Sequence, residues 1–141
     1  MTSGNDSYGV YAYLKSKAKA VSADIATSGI NSSGAAALTD SRLDVADSII
    51  KTSGEGSHGI FADSSDVTIS NSVVKVSKDG TAAFWLERGS VVTADNLTAS
   101  GPLLLSTTSS GTMTASNSKL TGNIAHAATT QASAPMDVTL K

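Results

Sequence analysis

The side chains best equipped for chemistry in this chain are two carboxylates, Asp63 and Glu87, 24 residues apart, with Asp66 and Arg88 beside them and Asp40 one repeat earlier. Two carboxyl groups held about 5 Å apart can serve as nucleophile and acid–base on a glycosidic bond. Flat rings make a second group: Tyr11, Phe61 and Trp85, together with Ala36, recur at one place in successive repeats. Rings stacked along one face could dock a glycan or an apolar protein surface. Short polar residues make a third group, Asp47, Asn71, Asp95 and Asn117, at intervals of 24, 24 and 22. Such side chains satisfy the free amides of turns, and two aspartates bring too few oxygens together for a calcium site. His58 and His126 stand alone, without a second ligand at metal-like spacing, and His58, just ahead of Gly59, is expected to face solvent. There is no cysteine, hence no disulfide and no thiolate ligand or nucleophile. No nucleophile elbow and no phosphate loop occurs. Neither a metal nor a cofactor is expected.

Whatever these residues do, a repeat positions them. Thr2-Ser3-Gly4 returns as Thr27-Ser28-Gly29 and Thr52-Ser53-Gly54 at steps of 25, and then, degenerately, as Val76-Ser77-Lys78 and Thr98-Ala99-Ser100-Gly101. Gly9-Val10-Tyr11-Ala12 moves in step with Gly34-Ala35-Ala36-Ala37, Gly59-Ile60-Phe61-Ala62 and Ala83-Phe84-Trp85-Leu86. A third landmark is Leu43-Asp44-Val45, Val67-Thr68-Ile69, Val91-Val92-Thr93 and Met113-Thr114-Ala115. A period of this size marks a solenoid. Inside each repeat apolar and polar residues alternate, as in Val67, Ile69, Val74 and Val76, and alternation by twos is the signature of strands. Glycine, serine, asparagine and aspartate punctuate the runs. Three short strands per repeat predict an all-β fold, a right-handed three-sided parallel β-helix of about six coils spaced by roughly 4.8 Å. Val10, Ile60 and Phe84 should fill one inward column and Ala12, Ala37 and Ala62 its neighbour. Tyr11, Ala36, Phe61 and Trp85 should then point outward, with Leu104 extending them. A one-residue slip would exchange the two faces.

Composition agrees with a thin core. Apolar residues make up 40% of the 141 residues, yet aromatics only 4%, and small side chains dominate. A net charge of −2 with scattered Lys and Arg leaves no electrostatic footprint for nucleic acid. A flat ice-binding array would need an outward Thr-x-Thr on every coil, and the sequence does not supply one. The start, Met1 to Asp6, lacks the basic and apolar stretches of a signal peptide. Neither end reads as a solenoid cap, so residues 1–141 are expected to be one β-helix segment of a longer protein, with 124–136 an irregular loop. Any column of a solenoid places its residues about 5 Å apart, so the Asp63/Glu87 spacing carries little information about catalysis.

The run from Ser57 to Ser72, Ser-x-Gly-Ile-Phe-Ala-Asp-x-Ser-x-Val-Thr-Ile-x-Asn-Ser, resembles the pertactin-like passenger region of bacterial autotransporters. So do Gly89 to Gly101, and Leu120 to Ile124 followed by Val138 to Leu140. The resemblance implies a secreted or cell-surface passenger of the adhesin or virulence-factor type, exported through a C-terminal outer-membrane barrel that is not in this sequence. It supplies no shared catalytic residues. The expected function is therefore a non-enzymatic structural stalk. The alternatives are an adhesive face for a host-surface glycan or protein on Tyr11, Phe61 and Trp85, and a carbohydrate-active enzyme on Asp63 and Glu87.

Overall fold

Alternating runs of β-branched and small residues, each closed by a turn-forming residue, give fifteen strands and no helix among the described residues of the computed structural model, which are 1–107, 110–126 and 136–141. All strand pairing is parallel, between each strand and its counterpart one coil on. Three faces result. The first holds β1 (Val10–Tyr13), β4 (Ala35–Leu38), β7 (Ile60–Asp63) and β10 (Ala82–Glu87). The second holds β2 (Lys17–Val21), β5 (Arg42–Ala46), β8 (Asp66–Ser70), β11 (Ser90–Asp95), β13 (Gly111–Ser116) and β15 (Met136–Leu140). The third holds β3 (Asp24–Thr27), β6 (Ile49–Thr52) and β9 (Val73–Val76). Two long strands, β12 (Thr98–Thr107) and β14 (Lys119–His126), run through the corner and belong to the third face at their start and the first face at their end. The chain is a right-handed parallel β-helix of five complete coils and part of a sixth.

The core consists of the inward columns. On the first face Val10, Ala35, Ile60, Phe84 and Leu105 are in register, beside Ala12, Ala37, Ala62 and Leu86. The second face contributes Ala18, Leu43, Val67, Val92 and Met113, and Ala20, Val45, Ile69, Ala94 and Ala115. The third contributes Ile25, Ile50, Val74 and Ala99. Each fully buried Val, Leu or Ile is worth about 1.5–3 kcal/mol of transfer free energy, and an alanine much less. The alanine column therefore sets how closely the faces approach, while Leu43, Ile50, Ile60, Ile69, Phe84 and other large, fully buried side chains contribute more per residue.

Between the second and third faces the chain turns on a single left-handed residue: Ser22, Asp47, Asn71, Asn96 and Asn117 all have φ between 46° and 52°. Asn and Asp tolerate this conformation better than most residues. Between the third and first faces coils one to four carry a protruding loop instead. In coil five Gly101 and Pro102 simply continue the strand. The anticipated loop at 124–136 lies mostly outside the described residues; its flanks are strand, since β14 runs to His126 and β15 begins at Met136.

Candidate functional site

Register places Tyr11, Ala36, Phe61 and Trp85 in one outward column, and the backbone of Trp85 pairs next with that of Ser106. Leu104, expected to extend this column, is instead 5% exposed and part of the core. Ala36 has no exposed surface although it sits in an outward position between Tyr11 and Phe61 in register. Two aromatic groups result. At one end Tyr8, Tyr11 and Tyr13 stack, with ring centroids 4.9 and 5.8 Å apart and planes within 12° of parallel. Tyr11 and Tyr13 are each nearly half exposed. At the other end Trp85 stacks on His58 at 4.5 Å, and Phe61 leans toward the same imidazole at 6.5 Å. From Tyr11 to Trp85 the column crosses three coil steps, about 14 Å.

His58 does not face solvent as expected. Its Nδ1 accepts the backbone N–H of Ala82 in the next coil at 3.0 Å, just as the Ser33 hydroxyl accepts the N–H of His58 at 3.1 Å. Burial lowers its pKa to about 4, against the opposing pull of the Glu87 charge. The imidazole is thus a neutral acceptor that ties coil three to coil four. Burial raises the Tyr8 phenol, with Tyr11 and Asp6 adding to the effect.

The two carboxylates are register partners on the first face. They are not free in solvent. Asp63 is 7% exposed, and both of its oxygens are engaged by the Arg88 guanidinium. Glu87 accepts the Trp85 indole N–H at 2.7 Å. Thr39, Asp40, Asp63, Ser64 and Arg88 line a small pocket of about 170 Å³ at this corner. Asp66 lies apart, at the start of β8 and paired with Arg42 and Val91 in register. The site is a clasp: a fork-shaped cation holding a shielded carboxylate, geometry that fixes a turn.

The polar ladder also differs by one residue. Asn71 donates to Asp47 at 3.2 Å and Asn96 donates to Asn71 at 3.0 Å, so Asn96 rather than Asp95 occupies the turn position in coil four. Asp95 ends β11 and accepts from Asn117 at 2.9 Å. A buried serine column behind this ladder was not anticipated. The hydroxyls of Ser48 and Ser72 accept the amides of Ala23 and Ser48 in the preceding coils and donate to Ala46 and Ser70. Ser118 repeats the arrangement for Leu97. The signal was present as the recurring Asp-Ser or Asn-Ser pair at 47–48, 71–72 and 117–118. Register also aligns Thr68, Thr93, Thr114 and Thr139 in one outward column of the second face, flanked by mixed and charged positions rather than a second threonine rank. Among the described residues no group of three or more His, Asp or Glu could hold a metal ion.

A scan against family models, a search of curated proteins and a search of solved structures found no match to this chain.

Proposed function

We propose that this chain is a structural segment of the rod of an exported, cell-surface protein of the autotransporter passenger type, spacing or presenting adhesive regions. The observation that carries the reading is the uninterrupted stacking: every coil pairs in parallel with the next, and the inward columns run the length of the rod. A solenoid of this kind extends indefinitely by adding coils, which suits a spacer. The Ser57–Ser72 and Gly89–Gly101 patterns supply the link to pertactin-like passengers. Sequencing the gene past Lys141 tests it. A membrane barrel of about 12 antiparallel strands downstream is expected; a downstream domain with no membrane-spanning strands overturns the export route.

The tyrosine stack and the Phe61/Trp85 group favour a second reading, in which the first face docks a glycan or protein on a host surface. Exposed rings held parallel need no reorganisation to receive a sugar face. Glycan-array binding that is lost in Trp85→Ala and Tyr11→Ala, with the melting temperature kept, supports this reading; equal binding by both variants removes it.

A further inference from the structure

We propose that the groove along the loop-bearing corner of the rod binds an anionic polysaccharide. This site lies away from the aromatic column and does not depend on the export reading. The groove has a volume of about 430 Å³ and crosses successive coils. One wall is the outer surface of the third face, where Ala26, Lys51, Lys75 and Ser100 share a single register column. The other wall is formed by Ser28, Ser53 and Ser77, at the bases of the protruding loops. Each of these serines donates its amide to a carbonyl of the preceding coil, Thr2, Thr27 and Thr52 respectively, so one hydroxyl is delivered per coil. The groove ends where Gly101 and Pro102 carry the strand round the corner without a loop.

Charge identifies the ligand class. Lys51 and Lys75 are both exposed and are register partners on adjacent strands, an arrangement in which like charges repel. Among the described residues the ion pairs are Arg42–Asp44 and Arg88–Asp63, and neither lysine of the groove enters one. Lys119 adds a third cation to the outer surface of this face, against Asp24 alone. Two lysines outside any ion pair among the described residues thus line this groove, in a chain whose net charge is −2. The hydroxyls of Ser28 and Ser53 have no partner among the described residues and face the same space. Two lysines one coil apart match an extended chain with acidic groups repeated at roughly 5 Å. A polysaccharide fits better than an acidic peptide for a backbone reason. Along the flank of a β-helix the main-chain amides and carbonyls pair between coils, leaving no sheet edge for a peptide strand to extend. Recognition must come from side-chain ammonium and hydroxyl groups, which suits a polyhydroxylated chain.

Titration calorimetry of the full chain with dextran sulfate and with polygalacturonate tests this, with neutral dextran and polyglutamate as controls. Binding to at least one acidic glycan is expected. The double variant Lys51→Gln/Lys75→Gln should weaken it roughly tenfold or more, as should Ser53→Asp, which sets a carboxylate in the groove. Lys17→Gln/Lys19→Gln, on the second face, should stay within about twofold. Circular dichroism of each variant confirms the fold. No binding to either glycan, equal losses in the second-face control, or polyglutamate binding as tightly as the glycans overturns the proposal.

Discussion

Coils one to three and coils four to five are built on the same plan but held together differently. In the first set the corner loops stack backbone on backbone: the glycines of the Thr-Ser-Gly landmark sit one above another, and Asn31 donates to Asp6 across the loop tips at 3.2 Å. In the second set the loop shortens and then disappears, the step between coils falls from 24–25 residues to 21, and β12 and β14 show register irregularities beyond Ser100. Close loop packing adds to strand pairing in fixing the period of the first set; strand pairing, the turn ladder and core burial set that of the second. Regularity in the sequence therefore tracks how many backbone atoms of neighbouring coils touch.

The largest effect that could break this contrast is at a stacked glycine. A Cβ on Gly54 would lie 1.9 Å from the Gly29 carbonyl oxygen and 2.7 Å from its carbon, and neither can yield without moving a coil. Gly54→Ala should destabilise by about 3 kcal/mol or more. At Gly80, where the loops are loosening, a Cβ meets nothing within 4 Å, and only the positive φ of 78° opposes a side chain. Gly80→Ala should cost about 1–2 kcal/mol. Denaturant midpoints of the two variants decide the matter; equal costs would mean that the loops of the first three coils are not packed as described.

At the seam between the two sets, His58 adds a side-chain link to the strand pairing of β7 with β10. Between coils two and three the Ser33 hydroxyl accepts the linking amide, while between coils three and four the imidazole does so. A protonated Nδ1 cannot accept that N–H. In the unfolded chain the imidazole takes its proton near 6.5, in the folded chain only at about 4. In that window the unfolded state binds more protons, so stability is complete above the upper value and falls as pH drops toward the lower. A loss of about 2 kcal/mol by pH 5 is expected relative to pH 7. His58→Ser, which restores the hydroxyl of the coil before, should flatten the pH 5–7 dependence. A wild-type midpoint unchanged over that range would show that the imidazole does not hold the seam.

Much of this was legible in the sequence, because a parallel β-helix writes its register as a repeat. The inward columns of the first face and the alignment of Tyr11, Ala36, Phe61 and Trp85 follow from alternation alone. What was not legible came from two sources. One is local: His58 and Asp63 look like solvated turn residues until the next coil brings Trp85, Ala82 and Arg88 against them, and no one-dimensional spacing reports that contact. The other is a count. Coil three turns its first corner with Ser64 alone, whereas coil four uses Arg88 and Gly89. From β7 to β10 the step is 24, as in Asp63 to Glu87, but from β8 to β11 it is 25, as in Val67 to Val92. A period carried at 24 through that corner lands on Val91 and Asp95, one residue short of Val92 and Asn96.

That extra residue makes the smallest of these effects the most discriminating. If Asn96 is the turn residue, Asn96→Ala forces a Cβ-bearing side chain without polar compensation into φ 49° and removes the donation to Asn71. The cost should be about 1 kcal/mol, mostly from the left-handed backbone. Asp95→Ala keeps an extended residue at a strand end and loses only the acceptor for Asn117, an exposed contact. It should cost less than about 0.5 kcal/mol. Asn96→Gly separates the two contributions, since glycine accepts positive φ and lacks the amide; stability close to that of the unaltered chain would assign the turn's strength to its backbone conformation. Should Asp95→Ala prove the more damaging, the ladder would follow the uniform 24-residue count after all, and the pairing of β11 with β8 would be one residue out of the register given above.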